Sequence, residues 1–200
     1  MLRIRHLVLA AIVATGVTAC GESEPTSAPI TRTTCDATAA NGAVFTTRAR
    51  PDLPFTLHLP QLRGWQVTPD DAADLVLRRT DRLAGRTGSA TITLRVTEPR
   101  RADNRTSVFV AYEGPWRQWR SESVQVCGRG GTRSGGIHPA SDAEGGDRYH
   151  EYLDFDCPAG ELLYPIRMLV EATAADRDLY RPDIDSFIDG LQVVPTASAG

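Results

Sequence analysis

On an extended strand alternate residues share a face, so His150, Tyr152, Asp154 and Asp156 would stand together if residues 149–157 form a strand. An imidazole beside two carboxylates is a donor set for a divalent cation. The same alternation is what the wet face of an antiparallel strand displays, and with no orienting partner in the sequence no metal site is assigned. The run from Gly128 to Gly136, GRGGTRSGG, offers backbone amides and arginines to an anion. It lacks the lysine-Ser/Thr ending of a phosphate-binding loop and no strand-helix-strand unit surrounds it, so it reads as a loop between strands. No serine stands in a Gly-x-Ser-x-Gly elbow, and His58 and His138 have no suitable neighbour in sequence. No catalytic residue, no metal and no cofactor are expected, and the chain is read as no enzyme.

Trp116, Arg117, Trp119 and Arg120 are more suggestive. Residues 103–121 read as a helix broken near Pro115, with Asp103 or Asn104 as its cap. On such a helix the two tryptophans lie three apart on one face, each with an arginine one step round. Both rings could belong to the core. Tryptophan and arginine are also the residues most enriched at binding hot spots, which makes the four a candidate interface.

The amino terminus supplies an address. Met1 to His6 carry Arg3 and Arg5 without an acid, and the apolar run from Leu7 to Ala19 spans only ~20 Å as a helix, short of a ~30 Å hydrocarbon core. Residues 1–19 therefore read as a signal peptide. Val17-Thr18-Ala19-Cys20 resembles a bacterial lipobox, which implies a diacylglyceryl group on Cys20 and cleavage just before it. Two acyl chains hold a protein durably on a membrane where one is marginal. The expected location is the extracytoplasmic face of the cell membrane, reached through the anchor at Cys20.

With Cys20 acylated, Cys35, Cys127 and Cys157 remain in an oxidising exterior where disulfides persist. Cys127 and Cys157 end two expected strands and are the predicted pair, provided their Cα atoms lie within ~7 Å. The alternatives bridge Cys35 to one of them and leave the other as a thiol.

All 22 basic residues are arginine, against 25 acidic ones, for a net charge of −3. Loss of residues 1–19 removes two arginines and no acid, taking the charge to −5. A mildly acidic chain without a basic block lacks the footprint that phosphate neutralisation needs, so nucleic acid is not an expected partner. Residues 20–52 read as the lipid-anchored stalk and a loosely attached segment poor in large apolar side chains. Residues 53–195 form the globular domain and 196–200 a tail. Within the domain, Phe55-Thr56-Leu57-His58-Leu59 alternates as a half-buried strand ended by Pro60. Gly64-Trp65-Gln66-Val67, Leu75–Leu77 and Ala90–Thr97 continue the sheet. Val124–Cys127, Tyr149–Cys157 and Leu162–Ala172 are further strands, Pro165 marking an edge or bulge. Pro182–Gly190 is a helix with a proline in its first turn and a glycine cap. Segregated strands and helices make the class α+β.

The order of lipobox, Ser/Thr/Pro stalk, Leu57-His58-Leu59-Pro60 followed by Gly64-Trp65, a hairpin, a central helix, two long strands and a helix closed by Gly190-Leu191 resembles the actinobacterial LpqN/LpqT lipoproteins over about residues 53–195. That resemblance implies a Mog1/PsbP-like fold, an antiparallel β-sheet flanked by helices, and a non-enzymatic role in the cell envelope. The function expected is a protein-binding adaptor domain, with a carrier or sensor of a small hydrophobic or glycan ligand as the alternative.

Overall fold

The computed structural model describes residues 42–80, 88–103, 114–140 and 146–196. Cys20, Cys35 and most of the segment expected to be the central helix lie outside these residues.

Two antiparallel sheets share one core. Strands β1 (Val44–Thr46), β2 (Phe55–Pro60) and β11 (Gln192–Pro195) form a three-stranded sheet in the order β1-β2-β11. The larger, eight-stranded sheet holds β3 (Trp65–Val67), β4 (Leu75–Arg79), β5 (Thr91–Val96), β10 (Leu162–Thr173), β9 (Arg148–Ala159), β8 (Arg129–His138) and β7 (Arg117–Val126) in that order, with the short β6 (Arg100–Arg101) paired to one end of β10. The single described α-helix, α1 (Arg177–Gly190), follows a 3-10 turn at Ala174–Asp176. It packs with the small sheet against the inner face of the large one. This is an α+β fold, as expected.

Period-two patterning places the core. Phe55, Leu57 and Leu59 of β2 are buried, as are Ala90, Ile92, Leu94 and Val96, and across the register from β5 stand Ile166, Met168 and Val170 of β10. Tyr180, Ile184 and Phe187, at helical spacing on α1, are fully buried against them. Trp65 meets Phe187 edge-on at 5.1 Å and donates its indole N–H to Asp183 Oδ2 at 2.9 Å; Asp183 also accepts from Arg79. At the far end of the helix, a Cβ on Gly190 would fall 2.8 Å from the Pro60 ring. The residues that carried the family resemblance, Pro60, Trp65 and Gly190, thus converge on the docking of α1.

Several expectations need correcting. Arg117–Val126 is a strand, not the second half of a helix, and the glycine-rich run is the strand β8 rather than a loop. The reason is close approach: a Cβ on Gly131 would sit 2.9 Å from the Asp154 carbonyl oxygen, and one on Gly135 2.7 Å from that of His150. Val126-Cys127-Gly128-Arg129 closes the β7–β8 hairpin, with positive φ of 53° and 70° at its two central residues, the pairing of a type I′ turn. Pro165 lies in a central strand. Its carbonyl accepts from Thr97 N at 3.0 Å just past the end of β5, so the N–H that proline lacks costs only the last bond of the β5–β10 ladder. Within the segment read as loosely attached, Val44–Thr46 pairs with β2 and buries Phe45.

The predicted Cys127–Cys157 bridge is not made: Cys157 is a free, buried thiol. Strand β8 lies between β7 and β9. Crossing two inter-strand spacings of ~4.8 Å separates the two positions by more than the ~7 Å a disulfide tolerates.

Candidate functional site: an aromatic platform on the outer sheet face

The even-numbered residues of β9 point away from the core, so His150, Tyr152, Asp154 and Asp156 do share one face, the outer one. Trp116 and Trp119 join them from the start of β7. Between Arg117 and Arg120 the register with β8 slips by one residue, and Gln118 takes a positive φ of 53°. Such a bulge re-aims side chains. Here it lays Trp119 over Gly136, where a Cβ would meet the indole Cε3 at 3.1 Å. The two indole centroids come to 5.0 Å, tilted by 53°.

Around the pair stand His138 and His150, with centroids 5.0 and 5.5 Å from Trp116, and Tyr152, 6.4 Å from Trp119. Tyr152 is buried although it lies outside the main core. Its ring is capped by the Arg167 guanidinium at 5.2 Å, and its hydroxyl is 3.1 Å from His150 Nδ1. Trp119 remains 38% exposed and Trp116 is half-buried. The candidate pair is therefore neither core nor free-standing: it is the exposed lip of an ordered aromatic stack.

The polar groups nearby are engaged with one another. Arg167 grips Asp154 with two bonds of 2.6 and 2.8 Å. Burial still pushes the Asp154 carboxyl above its usual value, with Arg167 opposing that shift. Asp156 accepts from Arg100 at 2.5 Å, and Glu171 lies 3.6 Å from His150 Nε2. Both carboxylates that could have joined His150 around a cation are thus held by arginines. Among the described residues no group of three or more His, Cys, Asp or Glu could hold a metal.

The two arginines of the candidate interface do not join the platform. Arg117 pairs with Asp147 at the sheet margin, and Arg120 points to the inner face, 3.3 Å from the Tyr149 hydroxyl. Tyr149 belongs to a buried charged network: it donates to Glu151 at 2.5 Å, and Glu151 also pairs with Arg133, which reaches Asp185 of α1 at 2.7 Å. Burial, aided by Glu151, pushes the Tyr149 hydroxyl up to about 12. Arg133 is pushed above its ordinary value by Glu151 and Asp185 against the effect of burial.

Sequence reasoning missed Arg167 and Gly136 as platform residues. The first was accessible, because a hairpin folded about Gly160-Glu161 sets Asp154 opposite Arg167. The second was not, since the bulge that brings Trp119 over Gly136 has no sequence signature.

No family model matches this chain, and no curated protein matches it. Among solved structures, the crystal structure of LpqN, a protein involved in cell envelope biogenesis of Mycobacterium tuberculosis, superposes with a TM-score of 0.56 over 82% of this chain and 98% of that one, at 13% identity. The chain therefore shares the fold of LpqN.

Proposed function

We propose that this chain is a lipid-anchored, non-catalytic binding domain of the cell envelope that engages a protein partner through the Trp116–Trp119 platform. One observation carries the reading: two tryptophans held in fixed orientation by His138, His150 and Tyr152, one of them 38% exposed. An amphipathic aromatic with its conformation already set loses little entropy on binding, and hot spots favour this composition. The envelope setting is supported by the lipobox at Cys20 and by the LpqN fold, the latter belonging to a protein of cell envelope biogenesis. No described helix is long and apolar enough to cross a membrane; the proposed attachment rests on the lipobox at Cys20.

A carrier of an apolar ligand would want a concave apolar cavity. The groove of about 430 Å³ bordered by Arg48, Arg50, Asp74, Arg95 and Glu98 is lined largely by charged side chains and is not such a cavity. A hydrolytic role finds no support in Cys157, whose thiol is buried and raised above its usual value by that burial.

The test joins anchor and surface. In intact cells, clickable fatty acid should label the native chain and not Cys20→Ser. Photo-crosslinking from a probe at position 119 should capture a protein that a probe at Ser123 does not, and Trp119→Ala should leave fatty-acid labelling and folding unchanged. Acrylamide quenching should reach Trp119 and spare Trp65. A shielded Trp119, or labelling that survives the serine substitution, refutes the corresponding half of the proposal.

A further inference from the structure

Strand β7 is one margin of the large sheet, and its residues 117–123 together with Gln125 are exposed. Among the described residues no turn or loop backbone bond reaches it. The hairpin fixes which of its groups face outward. Val126 and Arg129 close the turn and are hydrogen-bonded to each other, and pairs alternate along an antiparallel ladder. By that count Arg120, Glu122 and Val124 spend their amides and carbonyls on β8. Ser121, Ser123 and Gln125 turn theirs away from it. A ten-residue margin whose outward backbone groups meet no described residue is a template for another strand.

We propose that the occupant is β7 of a second copy, paired antiparallel about a two-fold axis through Ser121. The sequence Arg120-Ser121-Glu122 is self-complementary under that operation. Ser121 meets Ser121 of the partner copy as a hydrogen-bonded pair, while Arg120 stands opposite Glu122 and Glu122 opposite Arg120, in the close non-hydrogen-bonded pairs where opposite charges attract most. The next register, centred on Ser123, has three outward residues in line, but it sets Glu122 beside Val124 and brings the two Glu122 carboxylates onto one diagonal. Charge selects the Ser121 axis. Among the described residues neither is fully engaged: Glu122 is 65% exposed at 4.0 Å from Arg133, and Arg120 donates one hydrogen bond of 3.3 Å to the Tyr149 hydroxyl. A two-fold interface of this kind closes on itself and leaves the β3 margins outermost. It also sets the two tryptophan platforms on either side of the axis on one continuous face, although the pairing does not depend on what they bind.

The experiment is a charge-swap cycle on the full chain in detergent, read by sedimentation equilibrium. The native protein is expected to be a reversible dimer. Arg120→Glu and Glu122→Arg each set like charges opposite one another twice and should weaken it about tenfold. The double swap R120E/E122R should restore the native constant to within about threefold. Because either substitution could disturb the Arg133–Glu151 network, Ser121→Cys provides an independent reading. Residue 121 lies ~5.5 Å from its own copy, whereas residue 123 lies ~13 Å from its copy, so a short thiol cross-linker should join Ser121→Cys and not Ser123→Cys. A monomer at every concentration, a dimer indifferent to both single swaps, single-swap losses that the double swap fails to restore, or equal cross-linking at both sites overturns the proposal. Strand capture by a different protein would show as a monomer and counts with the first of these.

Discussion

Glu151 offers the sharpest test of how the sheet and helix hold together. It is 2% exposed, accepts the Tyr149 hydroxyl at 2.5 Å and pairs with Arg133, whose other guanidinium nitrogen reaches Asp185 on α1. Glu151→Gln keeps the volume and removes the charge. Stripping one partner from a buried pair costs ~3–5 kcal/mol when the other is left alone. Arg133 is not left alone, because Asp185 stays 2.7 Å away, so the expected loss is about 2–3 kcal/mol. For a domain of this size that lowers Tm by roughly 4–12 °C. Urea unfolding should show a lower midpoint at unchanged slope. The triple substitution Y149F/R133M/E151L replaces the pair and the hydroxyl it accepts by apolar groups and leaves Asp185, which is 41% exposed, facing water; it should cost less than Glu151→Gln alone. A loss below about 0.5 kcal/mol for the single change, or a triple variant worse than the single, would refute the claim that an ionic network rather than packing fixes α1 here.

Three further outcomes follow from the packing and the titration. Cys157 is buried with its thiol raised above the usual value by desolvation. It should therefore react with a thiol-specific disulfide reagent on the order of a hundredfold more slowly in native protein than in urea. Gly190→Ala drives a methyl into the Pro60 ring, 2.8 Å away, and should cost about 1–3 kcal/mol by urea unfolding. Asp154 has a folded value above its unfolded one, so the native state takes up its proton first. Its contribution to stability is fully present below the unfolded value and is lost as pH rises through the folded value. Stability profiles across the acid range should show that decline in the native chain and lose it in Asp154→Asn.

Where side chains alternate cleanly, the strands were legible: Phe55, Leu57 and Leu59 on β2 and Ile92, Leu94 and Val96 on β5 bury as the period demands. The β9–β10 hairpin was legible too, because the turn around Gly160, with its φ of 59°, leaves few ways to pair two long strands. Strand β8 was not. Its glycines look like loop residues, yet Gly131 and Gly135 are glycine because the carbonyls of β9 pass too close for any other residue. That one misassignment produced the wrong cysteine pair, since removing β8 makes β7 and β9 neighbours. The helix expected across Trp116 and Trp119 failed for a related reason. Two rings three residues apart fit a helical face, but a bulge at Gln118 brings them equally close on a strand. Composition singled out Trp116 and Trp119 as candidates without indicating the surface that presents them.

The placement of β8 gives the cysteines a chronology. If the chain is exported as its amino terminus predicts, it meets oxidants as it emerges, and until the glycine-rich segment lies between its two neighbours nothing keeps the thiols of Cys127 and Cys157 apart. A covalent link forged in that interval would bar the segment from its slot and strand the molecule in a wrong topology. On that reading native protein comes from chains that zip before they oxidise, and Cys157 ends as a thiol sealed inside.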